Sequence, residues 1–299
     1  METMRAAVET PLQNFLRQFR SSRIAVAGSV VLLALIVAAV FAPWIAPQNP
    51  YDLAQIDVLD ARLPPGAVSA EHGMRYLFGT DEQGRDMLSA MLYGMRISVF
   101  VGVSSTALAL AIGLTLGLLA GYVGGRIEAF IMRVADIQLS FPSILIALIL
   151  LAVLGPGMGK IVLALVAVQW AYYARTARSA ALVERRKEYI EAALGLALPP
   201  SRIVFRHLLP NCLPPLIVVA ALQVASAISL EATLSFLGLG LPVTEPSLGL
   251  LIANGFNYLL SGKYWISLFP GIALLVLIVA INLVADQLRE VLNPRLQTL

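Results

Sequence analysis

The chain has 299 residues, of which 59% are hydrophobic and 13% charged, with a mean hydropathy of +0.81; an average soluble domain is about 45–50% apolar and about 25% charged, so the composition excludes a soluble enzyme and marks an integral membrane protein. One cysteine, Cys212, excludes an internal disulfide, and with only His72 and His207 beside it no Cys/His metal cluster can be assembled. The net charge of +3 comes from scattered basic residues, without the clustered basic face that nucleic-acid binding requires.

In chain order, residues 1–23 form an N-terminal segment in which Leu12, Phe15, Leu16 and Phe19 recur at helical spacing beside Arg17, Arg20 and Arg23. That pattern predicts an amphipathic helix on the inner membrane surface. The first span is Ile24–Ala46. At 23 residues it exceeds the apolar core of a signal peptide, about 7–15 residues, and is long enough for ~30 Å of hydrocarbon at about 1.5 Å per residue. It reads as a retained signal anchor. Residues 47–96 make a long outer loop, rich in Pro and Asp, of the length that commonly carries function. Residues 97–290 hold five more spans: Ile97–Ala120, Ile137–Leu154, Ile161–Val183, Leu213–Leu237 and Ile266–Ala285. The fourth span is apolar only to Ala174 and is expected to continue as a helix into the cytosol. Residues 291–299 form a cytoplasmic tail. The fold class is therefore all-α and polytopic, with six transmembrane helices.

Lys and Arg positions set the orientation. With the N-terminus inside, the inner segments hold 15 of them and the outer segments 6. Both termini, and the connection between the fourth and fifth spans, are thereby placed in the cytoplasm.

Chemical motifs are sparse. There is no G-x-x-x-x-G-K-[ST] loop, no H-E-x-x-H and no G-x-S-x-G, so the chain is read as non-enzymatic and without a cofactor of its own. Ionisable groups within spans are costly and hence informative. Glu231, in "ISLEATLSFLGLG", is the one acidic residue inside an apolar span. It reads either as a pathway or outer-gate residue facing a wet cavity or as a partly hydrated interfacial residue paired locally. Gln169, Gln223 and Asn282 are candidates for lining a pathway, with interhelical hydrogen bonding as the alternative. Gly113, Gly117 and Gly121 repeat every four residues and form a small-residue face for close contact, within the subunit or across to a partner. Arg133 and Asp136, three apart on a helix, are expected to pair.

Between the fourth and fifth spans lies a charged, helix-forming insert at about 185–210. Its segment "EAALGLALPPSRIVFRHLLP" resembles the E-A-A motif of permease subunits of ATP-binding-cassette importers: E-A-A, three residues, Gly, nine residues, Ile-x-Leu-Pro. Glu191, Ala192 and Ala193 match its start, and Leu209 and Pro210 its end. Ala197 stands where Gly is usual, and His207 where Ile is usual. Further stretches look like the dipeptide, oligopeptide and nickel group of such permeases: "GTDEQGRDMLSAMLYGMRIS" (Gly79–Ser98), "AGYVGGRIEAFIMRVADIQLSFPSILIAL" (Ala120–Leu148), "LSFLGLG" (Leu234–Gly240) and "DQLREVLNPRL" (Asp286–Leu296). "TPLQNFLRQFRSSRIAVAG" (Thr10–Gly28) resembles the start of the C-type subunit in that group.

The resemblance implies a type I importer permease in a bacterial cytoplasmic (inner) membrane. It implies pairing with a B-type permease to form the pore, two ATPase subunits that bind ATP and Mg, and an extracytoplasmic substrate-binding protein. It also implies that the insert is the ATPase-coupling helix, carried by Glu191, Ala192, Ala193, Gly195, Ala197, Pro199, Pro200, Arg202, Arg206 and Pro210. The small residues permit close approach to another protein, the arginines make polar contacts at a rim, and Pro199 and Pro200 force a turn between two short helices. If position 197 needs a glycine backbone, the proline pair is the expected substitute. The expected cargo is dipeptides or oligopeptides, with nickel, glutathione or another small solute as alternatives because the binding protein does most of the selecting. A stand-alone secondary carrier is the remaining alternative; the lack of repeat symmetry and of midplane charges counts against it.

Overall fold

A computed structural model describes residues 10–52, 54–69, 73–242 and 244–292. Residues 1–9, His72 and most of the predicted tail, 293–299, lie outside the described residues. Among those described, the regular structure is helical, and the only strand-like pairings are isolated bridges Val68–Arg75 and Thr80–Asp86 in the loop after the first span.

Local sequence sets the first boundaries. Helix α1 (Pro11–Ser21) opens on a capping box: the Thr10 hydroxyl accepts from the Gln13 N–H (3.3 Å), and the Gln13 side chain accepts from the Thr10 N–H (3.0 Å). Ser22 ends α1 and caps α2 (Arg23–Val40) by accepting from the Ala25 N–H. The predicted first span is thus helical to Val40. A turn at Phe41 then leads into a single helical turn, α3 (Ala42–Ile45). α1 lies against α12 (Trp265–Val291), where the Gln287 amide donates to the Gln18 carbonyl.

The remaining helices are α4 (Met87–Val123), α5 (Gly125–Leu139), α6 (Ser143–Leu154), α7 (Met158–Glu184), α8 (Glu188–Gly195), α9 (Pro200–Arg202), α10 (Leu209–Phe236) and α11 (Leu248–Phe256). α4 has 37 residues, about 55 Å at 1.5 Å per residue, and so overshoots a hydrocarbon core of ~30 Å. α2, α4, α12 and the continuous stretch Pro200–Phe236 are long and apolar enough to cross a membrane.

The third span is not the single helix Ile137–Leu154 that its hydropathy implies. α5 and α6 meet at 91°. The residue before a proline is steered out of the α region, so Phe141 cannot carry the helix into Pro142, which instead begins α6. Gln138 secures the corner. Its amide donates to the Val168 carbonyl (2.9 Å) and to that of Ala167, and its oxygen accepts from the Trp170 indole (2.6 Å).

The central pairing is α4 with α7, which run parallel. A Cβ on Gly117 would fall 2.6 Å from the Ala177 Cβ, and one on Gly121 2.7 Å from the Ala181 Cβ; Gly113 meets the Tyr173 Cβ in the same way. The four-residue glycine repeat therefore serves packing within the subunit. One apolar cluster is built around this pair with α6 and α10; a second joins α2, α11, α12, the N-terminal part of α4 and the C-terminal half of α10.

Candidate functional site

The insert begins where α7 ends. Glu184 accepts from the Lys187 ammonium (2.7 Å) and from the Tyr189 hydroxyl (2.7 Å), and the Asn211 amide donates to the Tyr189 oxygen (3.1 Å). Burial and the hydrogen bond to Glu184 push the Tyr189 phenol up to about 12, so it remains a donor at neutral pH. Glu188 and Glu191 lie in the first turn of α8, where negative charge suits the helix dipole.

The stop at the end of α8 is a Schellman turn. The Leu198 N–H reaches back to the Ala193 carbonyl (3.2 Å) and the Ala197 N–H to the Leu194 carbonyl (2.9 Å). Ala197 sits at φ +53°, the left-handed region. The expectation that the proline pair replaces a glycine turn is therefore corrected: the glycine-type turn is kept, and an alanine occupies it. Pro199 and Pro200 instead start the next helix, as N-cap and first residue of α9. A π-helical turn, Ile203–Leu208, then leads into α10, with the Leu209 N–H bonded five residues back to Val204. Such a widened turn accommodates a proline that cannot donate, here Pro210.

Most of the predicted coupling set shares the exposed side of this unit: Glu191, Ala192, Gly195, Ala197, Pro199, Pro200, Arg202, Arg206 and Pro210. Ala193 does not. It is buried beneath α8 with Ile190 and Ile203. Sequence reading missed the apolar members of the exposed side, Leu194, Leu196 (75% exposed) and Phe205. Their signal was available: large apolar residues in a charged stretch between two apolar runs.

At the opposite end, the loop before α4 is a folded cap. Gly79 and Gly84 take φ of +78° and +84°. Between them Asp81 accepts from the Gln83 and Arg85 N–H groups and from the Arg85 guanidinium (2.6 Å), with both side chains 1% exposed. Asp86 caps α4 through Ser89, the Trp265 indole donates to the Thr80 carbonyl (3.2 Å), and the Tyr76 hydroxyl donates to Asp60 (2.8 Å). Glu231 is fully buried below this cap. Its carboxyl accepts from Ser98 of α4 (3.0 Å) and Ser235 (2.8 Å), and it meets Ser247, whose oxygen also caps α11. The Glu231 carboxyl is thus paired locally by serine hydroxyls, with its side chain closed to the protein surface.

The family described as "Binding-protein-dependent transport system inner membrane component" matches residues 113–298, and that described as "N-terminal TM domain of oligopeptide transport permease C" matches residues 10–65. The chain belongs to the family of inner membrane components of binding-protein-dependent transport systems. Among curated relatives of this permease are the dipeptide transport system permease protein DppC of Escherichia coli, 41% identical over 96% of this chain and 94% of the relative, and the di/tripeptide transport system permease protein DppC of Pseudomonas aeruginosa, 38% identical over 96% and 93%. A probable D,D-dipeptide transport system permease protein of Escherichia coli is 39% identical over 92% and 89%. The permease shares its fold with a chain of the MetNI methionine ABC transporter in an inward-facing structure, with a TM-score of 0.56 at 21% identity, over 69% of this chain and 97% of that one.

The other predicted residues of the permease fall into two groups. Gln169 is buried and bridges three helices: it accepts from Thr106 of α4 (3.4 Å), and its amide donates to the backbone carbonyl of Gln223 in α10 (3.3 Å). It holds these helices together, the interhelical alternative expected for it. Gln223 and Asn282 are half-buried. Asp136 does not pair with Arg133; it pairs with Arg175 on α7, while Glu128 takes Arg178 (2.5 Å). The packing of α5 on α7 offers cross-helix partners that replace a weak pair within one helix.

Proposed function

We propose that this permease forms half of the translocation pore of an ATP-driven importer for dipeptides or oligopeptides. The other half is a B-type permease, an extracytoplasmic binding protein delivers the cargo, and two separate ATPase subunits carry ATP and Mg. Residues 1–23 and 291–299 lie in the cytoplasm, residues 47–96 outside, and residues 97–290 form the core. α2, α4, the α5–α6 corner, α7, α10 and α12 are the six spans.

The observation that carries this reading is the insert itself. Its two short helices meet at a tight turn, with small, apolar and cationic side chains together on an exposed side and their own buried core behind it. A solvated loop needs no such core. Peptide cargo is supported by the relatives, whose names specify peptide transport at about forty per cent identity to this chain. An inner cleft of about 960 Å³ between α7, α10 and α12, lined by Arg175, Ser179, Asn211, Pro214 and Arg289, is a fitting exit for a zwitterionic peptide. Glu231 supports the outer gate by fixing α11, and Gln223 and Asn282 remain the candidates for the path.

The test is Ala192→Trp in the co-expressed complex. The docking reading expects the ATPase subunits to be lost on purification while this permease stays folded with its partner. Full retention of both ATPases and of uptake would remove the insert as their dock.

A further inference from the structure

At its far end the insert runs on through the π-helical turn into α10. At its near end α8 is joined to α7 by the turn at 185–187 and by the Tyr189 bonds to Glu184 and Asn211. A further, apolar connection, from α8 to α4, runs through Tyr122. The insert's core of Ile190, Ala193 and Ile203 packs on this side chain. Tyr122 also packs on the apolar cluster of α4, α6, α7 and α10. Among the described residues it is the one side chain shared by the two clusters. Arg185, in the turn itself, lies over the Tyr122 ring at 5.9 Å and reaches the Gly121 carbonyl at 3.5 Å. The ring therefore makes a cation–π contact with a guanidinium and packs on an apolar trio.

The backbone puts the ring there. Gly121 lets α4 close onto Ala181 of α7 one residue earlier, and Gly124 and Gly125, at φ +74° and +62°, turn the chain away just beyond it. The Glu128–Arg178 ion pair fastens the start of α5 to the same end of α7. α4, α7 and the insert thus meet at one corner with Tyr122 in the middle.

We propose that Tyr122 is a positioning residue for ATP-driven transport: it seats the insert on the inner end of α4, so that displacement of the insert moves the α4–α7 pair as one body. Without the ring, the insert still docks and still runs into α10, but α8 loses its seat on the end of α4. The proposal rests on the coupling role proposed for the insert.

The experiment uses the complete complex, with partner permease, ATPases and binding protein, in liposomes, and reads dipeptide uptake and ATP hydrolysis together. In Tyr122→Ala the ATPases stay bound and hydrolysis continues, while dipeptide taken up per ATP falls about tenfold, the scale of an ordinary coupling free energy. Tyr122→Phe, which keeps the flat ring, restores the ratio. An unchanged ratio in Tyr122→Ala overturns the proposal. If Tyr122→Ala fails to assemble, Tyr122→Leu is read instead; it fills the seat but offers no ring face to Arg185, and a fall of about threefold is expected from the lost cation–π contact, whereas no fall overturns the proposal. Survival of ATPase docking and uptake in Ala192→Trp would sink the underlying reading instead, whatever Tyr122 does.

Discussion

Ala197 holds a left-handed backbone that costs an L-residue with a Cβ about 1–2 kcal/mol. Ala197→Gly relieves that strain without touching any neighbour. The expected result is tighter closure of the Schellman turn by about 1 kcal/mol and roughly fivefold slower exchange of the Leu198 amide, measured by hydrogen exchange on the purified complex. Exchange that stays the same or speeds up would show that the turn is not strained. The unusual alanine was visible in the sequence, but its backbone angle was not, because proline and glycine solutions to a turn look equally plausible before the hydrogen bonds are known. Glu231 was legible in the same partial way. Its acidity inside an apolar span marked it, but besides Ser235 in the same helix its partners are Ser98 of α4 and Ser247 at the cap of α11, 133 and 16 positions away. Glu231→Ala leaves those hydroxyls with no acceptor and is expected to destabilise the permease by about 1–3 kcal/mol. Glu231→Gln, of the same shape, loses less. Thermal unfolding of the two variants side by side checks the order.

The elements most legible in the sequence were those with a local cause. The spacing of Leu12, Phe15, Leu16 and Phe19 announced α1, and the glycines at 113, 117 and 121 marked a close helix contact; the start of α4 was not read, because hydropathy opened the second span at Ile97 whereas Asp86 caps a helix that begins at Met87. The bend between α5 and α6 was missed although Pro142 was in plain view, because hydropathy is indifferent to direction and the apolar run continues through the corner. The outer cap was underestimated for a different reason. Residues 47–96 read as a long loop without regular structure, yet Thr80, Asp81, Arg85 and Asp86 within it are all buried. The polar groups satisfy one another and the backbone, which composition does not reveal. Asp81→Ala removes an acceptor from a guanidinium that is 1% exposed, and breaking a buried pair in this way is expected to cost about 3–5 kcal/mol. Trypsin applied to the outer face should then cut at Arg85, which it leaves intact in the unaltered chain. Equal resistance in both would mean that the pair is dispensable to the cap.

At the scale of the whole molecule, composition gave the membrane, and the E-A-A stretch gave the family to which the chain belongs. Four helices are apolar and long enough to span, and the bent pair counts as a fifth. α7 completes the proposed six only as a helix whose apolar part, Ile161–Ala174, is shorter than a usual span of about 20 residues and is sheltered by α4, α5, α6 and α10. Two clusters, one around α4 and α7 and one around α11 and α12, meet at α4 and α10. The insert packs on the first through Tyr122 and runs on into α10, which belongs to both. The central claim is that energy enters this permease from separate ATPases through that insert. It is tested most directly by uptake of a labelled dipeptide into liposomes holding this chain alone or the complete complex with its binding protein. The account predicts uptake only from the complete complex, only with ATP, and none with Ala192→Trp; ATP-independent uptake by this chain alone under an ion gradient would contradict it.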